Sequence, residues 1–153
     1  MIDNGTLYSH YSDVDAIPWP WPNFTAFELS SHGSEYYHHV ETVTALQECR
    51  DLLGKPLFIN SAHRDWLHNL AVNGSPRSAH LYIAADISLK NHDMYHLYNA
   101  LMASGFTSFG FYDTFIHADL RPGRKWFGSH TAQMKWAGVL ALDNPDVYLD
   151  IQL

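Results

Sequence analysis

Val40, Val43, Leu46, Cys49 and Leu53 recur three or four residues apart, the spacing that gathers apolar side chains on one face of an α-helix. Gly54 follows the last of them and can close that helix. Met94, Leu97, Leu101 and Met102 repeat the pattern and predict a second long helix ending before Gly105. Elsewhere the apolar runs are shorter. Leu57 to Asn60 reads as a short buried strand, and strand signal returns from Ala84 to Ile87. Phe109 to Tyr112 and Phe115 to Leu120 read as two strands joined by a tight turn at Asp113-Thr114. Thr25, with Glu28 three residues on, carries the capping signature of a short helix. Asp65 to Leu70 reads as another short helix and Asn73-Gly74-Ser75-Pro76 as a turn. In the tail, Gly138 to Leu142 and Val147 to Leu153 are expected to form edge strands.

Two long helices interleaved with short strands predict an α+β fold, with helices packed on one face of a mainly antiparallel sheet. Residues 1–22 read as an irregular N-terminal arm, because each proline in Ile17-Pro18-Trp19-Pro20-Trp21-Pro22 fixes its own φ and restrains its predecessor. Trp19 and Trp21 either pack this arm over the domain or present aromatic platforms to a glycan. Residues 23–153 are expected to form a single domain, without repeats or low-complexity tracts.

Composition narrows the function classes. At 153 residues, 46% hydrophobic and 16% charged, the chain has the makeup of an ordinary globular domain with a proper core. Its net charge of −7 argues against nonspecific binding to nucleic acid, which depends on neutralising phosphates. Cys49 is the sole cysteine, so no intramolecular disulfide forms, and on its helix it reads as a small buried apolar residue. No basic region precedes an apolar run at the N-terminus, and no apolar stretch approaches the roughly 20 residues needed to span a membrane. The expectation is a monomer made in the cytoplasm.

The chemistry concentrates in Ser78-Ala79-His80-Leu81-Tyr82-Ile83-Ala84-Ala85-Asp86-Ile87 and, 28 positions after Ile87, Phe115-Ile116-His117-Ala118-Asp119. His80, Asp86 and His117 supply two imidazoles and a carboxylate, a set that zinc accepts in catalytic sites while keeping a fourth position for water. With 11 histidines in the chain, the flanks have to decide. A carboxylate in the apolar run Ala84-Ala85-Asp86-Ile87 needs a metal or an ion pair to offset its burial. Period-2 alternation sends His117 to the face opposite Ile116, together with Asp119.

Those flanks are Ile59-Asn60-Ser61-Ala62-His63-Arg64, Asn69, Arg77 to His80, Ala84 to Ile87, Phe115 to Arg121, and Trp126. Over roughly Asn23 to Trp126 they resemble the zinc D-Ala-D-Ala carboxypeptidases, peptidase family M15, and most nearly its small bacterial and phage members that act on peptidoglycan. The resemblance implies the D-Ala-D-Ala carboxypeptidase/hedgehog-like zinc peptidase fold and one Zn2+ per chain held by His80, Asp86 and His117. It also implies Arg64 as the residue that binds substrate or the transition state, a role suited to a planar guanidinium. The partner it implies is a peptidoglycan stem peptide, reached after phage lysis or from a virion. One spacing departs from the family. The usual H-x-x-G-x-A-x-D becomes six positions from His80 to Asp86 with no glycine between, so the chain has to curl for both to share an ion.

Other roles stay open in the sequence. Family members place an acid or a histidine two or three positions before the second zinc histidine, where this chain has Phe115 and Thr114. Asp113, four before, is then the nearest candidate general base, or else a plain turn aspartate. Asp119 either orients His117 through its second ring nitrogen or is itself the base. Ser78 either binds substrate backbone or caps the turn, and Trp126 either walls the cleft, as the resemblance implies, or belongs to the core. His63, His68, His38 and His39 read as surface histidines. The competing readings are an inactive zinc-stabilised binding or virion module and a non-haem iron oxygenase. His117-Ala118-Asp119 matches half of the iron triad, but the only histidine downstream is His130.

Overall fold

A computed structural model describes residues 7–16, 18–30, 36–37, 39–61 and 84–143. Strand β1 (Leu7–Tyr8) pairs with β2 (Tyr36–Tyr37) in a two-stranded ribbon. A five-stranded sheet has the order β3 (Ile59–Ser61), β4 (Ala84–Ser88), β6 (Phe115–Asp119), β5 (Ser108–Phe111), β7 (Lys125–Phe127). All its neighbours are antiparallel except β5 and β7. Four α-helices accompany the sheet among the described residues: α1 (Ala26–Leu29), α2 (Val40–Leu53), α3 (Met94–Ala103) and α4 (His130–Asp143). The fold is α+β, as the periodicities predict.

Local signals account for the helix ends. Thr25 and Glu28 form a reciprocal capping box at α1, each side chain accepting from the other residue's backbone N–H. Gly54 ends α2 with φ +65°, a left-handed conformation that a Cβ would disfavour. Asp93 caps α3 by accepting from the His96 N–H. Cys49 is fully buried, and burial pushes its thiol up to about 12, so it behaves as an apolar side chain.

Gly138 to Leu142 is not an edge strand but the last part of α4. Ala132, Trp136, Ala137 and Leu140 are its buried positions, at helical spacing, and the Ser129 hydroxyl caps its start by accepting from the Ala132 N–H. A five-residue apolar run fits a buried helix segment as well as a strand. Val147 to Leu153 and the expected helix at Asp65 to Leu70 lie outside the described residues. The segment read as an irregular arm contains β1 and a 3-10 helix, Tyr11–Ala16, and sends Val14 and Trp21 into the core. Trp19 is tied down, its Nε1 donating to the carbonyls of Trp21 and Phe24.

Alternation along the central strands divides the sheet. Ala85, Ile87, Phe109, Phe111, Ile116 and Ala118 point to one face and share a core with Leu46 of α2, Leu97 and Leu101 of α3, and Trp136 of α4. Their neighbours Asp86, Gly110, His117 and Asp119 point to the other face. No described helix is long and apolar enough to cross a membrane.

Candidate active site

On the second face of the sheet, pairing of β4 with β6 sets Asp86 directly opposite His117 and Ala84 opposite Asp119. Asp86 Oδ1 lies 3.0 Å from His117 Nδ1, and Asp119 Oδ2 lies 2.7 Å from His117 Nε2. The imidazole therefore lies between two carboxylates, one on each ring nitrogen. A bulge sits beside the pair: Ile59 aligns with Ile87 but Ser61 with Asp86, two residues of β3 against one of β4. Such an irregularity re-aims the neighbouring strand where it occurs.

Asp119 is wholly buried, and its oxygens are committed. Arg121 donates its backbone N–H to Oδ1 at 2.8 Å, and its Nε and Nη2 to Oδ2 at 3.0 and 2.7 Å. Burial alone would push the Asp119 carboxyl up. The hydrogen bonds from His117 and Arg121 more than reverse this and hold it at about 2, so it is a carboxylate at neutral pH. Burial likewise opposes charge on His117, but the Asp119 and Asp86 carboxylates outweigh it and raise the imidazole above its ordinary value.

Trp126 is half-buried and leans over this group, its ring 5.0 Å from that of His117. Gly110 makes that possible. A Cβ there would lie 2.5 Å from the indole, so the strand has to be bare at the position paired with both His117 and Trp126. Trp126 Nε1 donates to the Tyr112 hydroxyl at 2.9 Å, which fixes the ring's orientation. Gly110 and Tyr112 were not among the residues singled out from the sequence; a glycine inside an apolar strand was the available signal.

Asp113 makes its hydrogen bonds to α4. It occupies the turn ahead of Phe115, and its Oδ2 accepts from the hydroxyls of Ser129 and Thr131 at the start of α4. Its backbone carbonyl accepts from Lys135 Nζ. Arg64, Ser78 and His80 lie outside the described residues. Among the described residues no group of three His, Cys, Asp or Glu side chains could hold a metal ion. The geometry explains this: Asp86 and Asp119 approach opposite nitrogens of His117, so only one of them can share an ion with it. A metal at this pair would need a further donor beyond the described residues.

A family model described as Peptidase M15 matches residues 24–119, from just ahead of α1 to the end of β6. No curated protein matches the chain. The matched residues make up well over half of the chain and include both Asp86 and His117, and the chain belongs to peptidase family M15.

Proposed function

We propose that the chain is a zinc-dependent peptidase that hydrolyses peptide bonds in peptidoglycan stem peptides. The observation that carries the reading is the Asp86–His117 pair, a carboxylate oxygen and an imidazole nitrogen aimed at each other from paired strands at 3.0 Å. Two donors bound tetrahedrally to zinc at about 2.0–2.1 Å stand roughly 3.3 Å apart, so the pair fits with a shift of a few tenths of an ångström. The bonds to Asp119 fit as well. A carboxylate on Nε2 keeps the proton there and leaves Nδ1, the nitrogen facing Asp86, to carry the lone pair that a metal needs.

His80 is the proposed third donor. When bound, zinc would supply a water acidified to near neutrality and an electrophile for the scissile carbonyl. The chain's own residues do the rest. Asp86 and His117 hold the ion, Asp119 orients His117, and Trp126 walls the cleft beside them. Arg64 is the proposed substrate-binding arginine, and Ser78 a proposed contact to substrate backbone. With its oxygens engaged by His117 and Arg121, Asp119 is suited to orienting rather than to accepting a substrate proton. The bonds of Asp113 suit it to holding the start of α4.

The test is incubation of the zinc-loaded chain with purified peptidoglycan, followed by mass spectrometry of the soluble products. New amino termini or free D-alanine are expected, and they should disappear with a chelator. Zinc-replete protein that releases neither across neutral pH would overturn the peptidase reading in favour of a zinc-stabilised, non-catalytic module.

A further inference from the structure

Two arginines flank the site's tryptophan, and they are not equivalent. The Arg121 guanidinium carbon lies 5.9 Å from the centre of the Trp126 ring and that of Arg124 lies 5.4 Å from it. Arg121 is neutralised by Asp119 through both Nε and Nη2. No described carboxylate pairs with Arg124, and its side chain is exposed. Its backbone is nevertheless fixed. The Arg124 N–H donates to Ser108 Oγ at 3.0 Å, and its carbonyl accepts from the Phe109 N–H at 2.8 Å. Ser108 is buried, and its hydroxyl donates in turn to the Arg121 carbonyl.

The result is a cation that no described carboxylate offsets, on a rigid base, over an indole that abuts His117. Asp86 and Asp119 stand on the two nitrogens of that histidine, and the charge of Asp119 is already matched by Arg121. A substrate carboxylate next to the bond to be cut needs a cation not already held by another carboxylate, and of the two arginines over Trp126 the Arg121 guanidinium is held by Asp119. A guanidinium receives a carboxylate through two parallel hydrogen bonds, and an aromatic face beneath it keeps the planar fork oriented.

We propose that Arg124 is a substrate-binding residue that receives a carboxylate of the peptide held at the Asp86–His117 pair. It lies beyond the residues matched by the family model. The inference rests on the peptidase reading and deepens it, because it names a residue that would receive the substrate's carboxylate.

The experiment uses the zinc-loaded full chain and the stem-type peptide L-Ala-γ-D-Glu-L-Lys-D-Ala-D-Ala. Two analogues are amidated singly, one at the glutamyl α-carboxylate and one at the C-terminus. KM, kcat and the equilibrium Kd are measured for wild type, Arg124→Gln and Arg124→Lys. For wild type, amidating one of the two positions should raise KM and Kd by about tenfold or more, the range of a charge-assisted hydrogen bond, with kcat little changed. Arg124→Gln should bind the free-carboxylate peptide as weakly as wild type binds the amide and no longer tell them apart, while Arg124→Lys recovers part of the difference. Zinc content and Tm should match wild type in both variants. A wild type indifferent to both amidations, or an Arg124→Gln variant that keeps the wild-type preference, overturns the proposal. If no peptide is cleaved, the peptidase reading fails while the Kd series still decides the role of Arg124.

Discussion

Replacing Asp119 by asparagine keeps the side chain's shape and removes its charge, which isolates what the carboxylate does for its neighbours. In the native arrangement it accepts three hydrogen bonds from Arg121 and one from His117, with no solvent exposure. A carboxyl held at about 2 rather than near 4 stabilises the fold by roughly 2–3 kcal/mol at neutral pH. Breaking a fully buried ion pair from one side costs about 3–5 kcal/mol, but Arg121 is 36% exposed and can turn to water, so the lower figure applies. Asp119→Asn should therefore lose about 2–3 kcal/mol, or roughly 5–10 °C in Tm for a chain of this size. The pH dependence has a definite sign. Because the folded-state carboxyl is depressed, its stabilisation is complete above about pH 4 and is lost as pH falls toward 2. In metal-free protein, the melting-temperature gap between wild type and variant should close over that interval. Zinc affinity should fall about 10–100-fold, because the imidazole loses the partner that fixes its tautomer. A variant that melts with wild type at pH 7, or a gap that persists unchanged at pH 2–3, would refute this account of Asp119.

Gly110→Ala should destabilise by about 1–3 kcal/mol and alter Trp fluorescence, because a Cβ 2.5 Å from the Trp126 indole forces that ring off His117; unchanged emission and Tm would count against the packing described. Asp113→Ala should cost about 1 kcal/mol through its lost bonds to Ser129 and Thr131, and leave turnover within about threefold of wild type. A loss of about 10²–10⁴-fold in zinc-replete Asp113→Ala would instead mark it as the general base. Asp86→Asn should weaken zinc binding in metal analysis while leaving Arg121 and Asp119 paired, and a variant that retains one equivalent of zinc as tightly as wild type would remove Asp86 from the ligand set.

How far the sequence exposed this arrangement depended on the reach of each interaction. Thr25 and Glu28, or Leu53 followed by Gly54, act within a turn of chain, so the ends of α1 and α2 were legible. Alternation through Phe115 to Asp119 was equally local and put His117 and Asp119 on one face before any partner strand was known. The facing of Asp86 and His117 was of another kind. It arises from the register of β4 on β6, with α3 and β5 intervening in the chain, and only the family resemblance pointed to it. Gly138 to Leu142 went astray because so short an apolar run satisfies either period, and what decides it is the packing of Trp136 against Phe111, with ring centres 4.9 Å apart. Strand β7 went unseen because Lys125–Phe127 has no period to read, and it pairs in parallel with β5 across the chain.

The same division explains how one sheet serves both stability and a site. Side chains pointing to the helices are Ala, Ile and Phe, and the core they form fixes the β4–β6 register. Slipping β6 in that register by one residue would send Ile116 and Ala118 to the face now occupied by His117, and would bury His117 and Asp119 among Phe109 and Phe111. Exposing those apolar groups and stranding an imidazole and a carboxylate would be far costlier than any gain on the polar face. The 3.0 Å approach of Asp86 to His117 is thus enforced by residues that point to the opposite face of the sheet. It follows that core substitutions at Ile87 or Ile116 should loosen the pair's geometry in proportion to the stability they remove, whereas changes at Trp126 or Arg124 act on the cleft with the register intact.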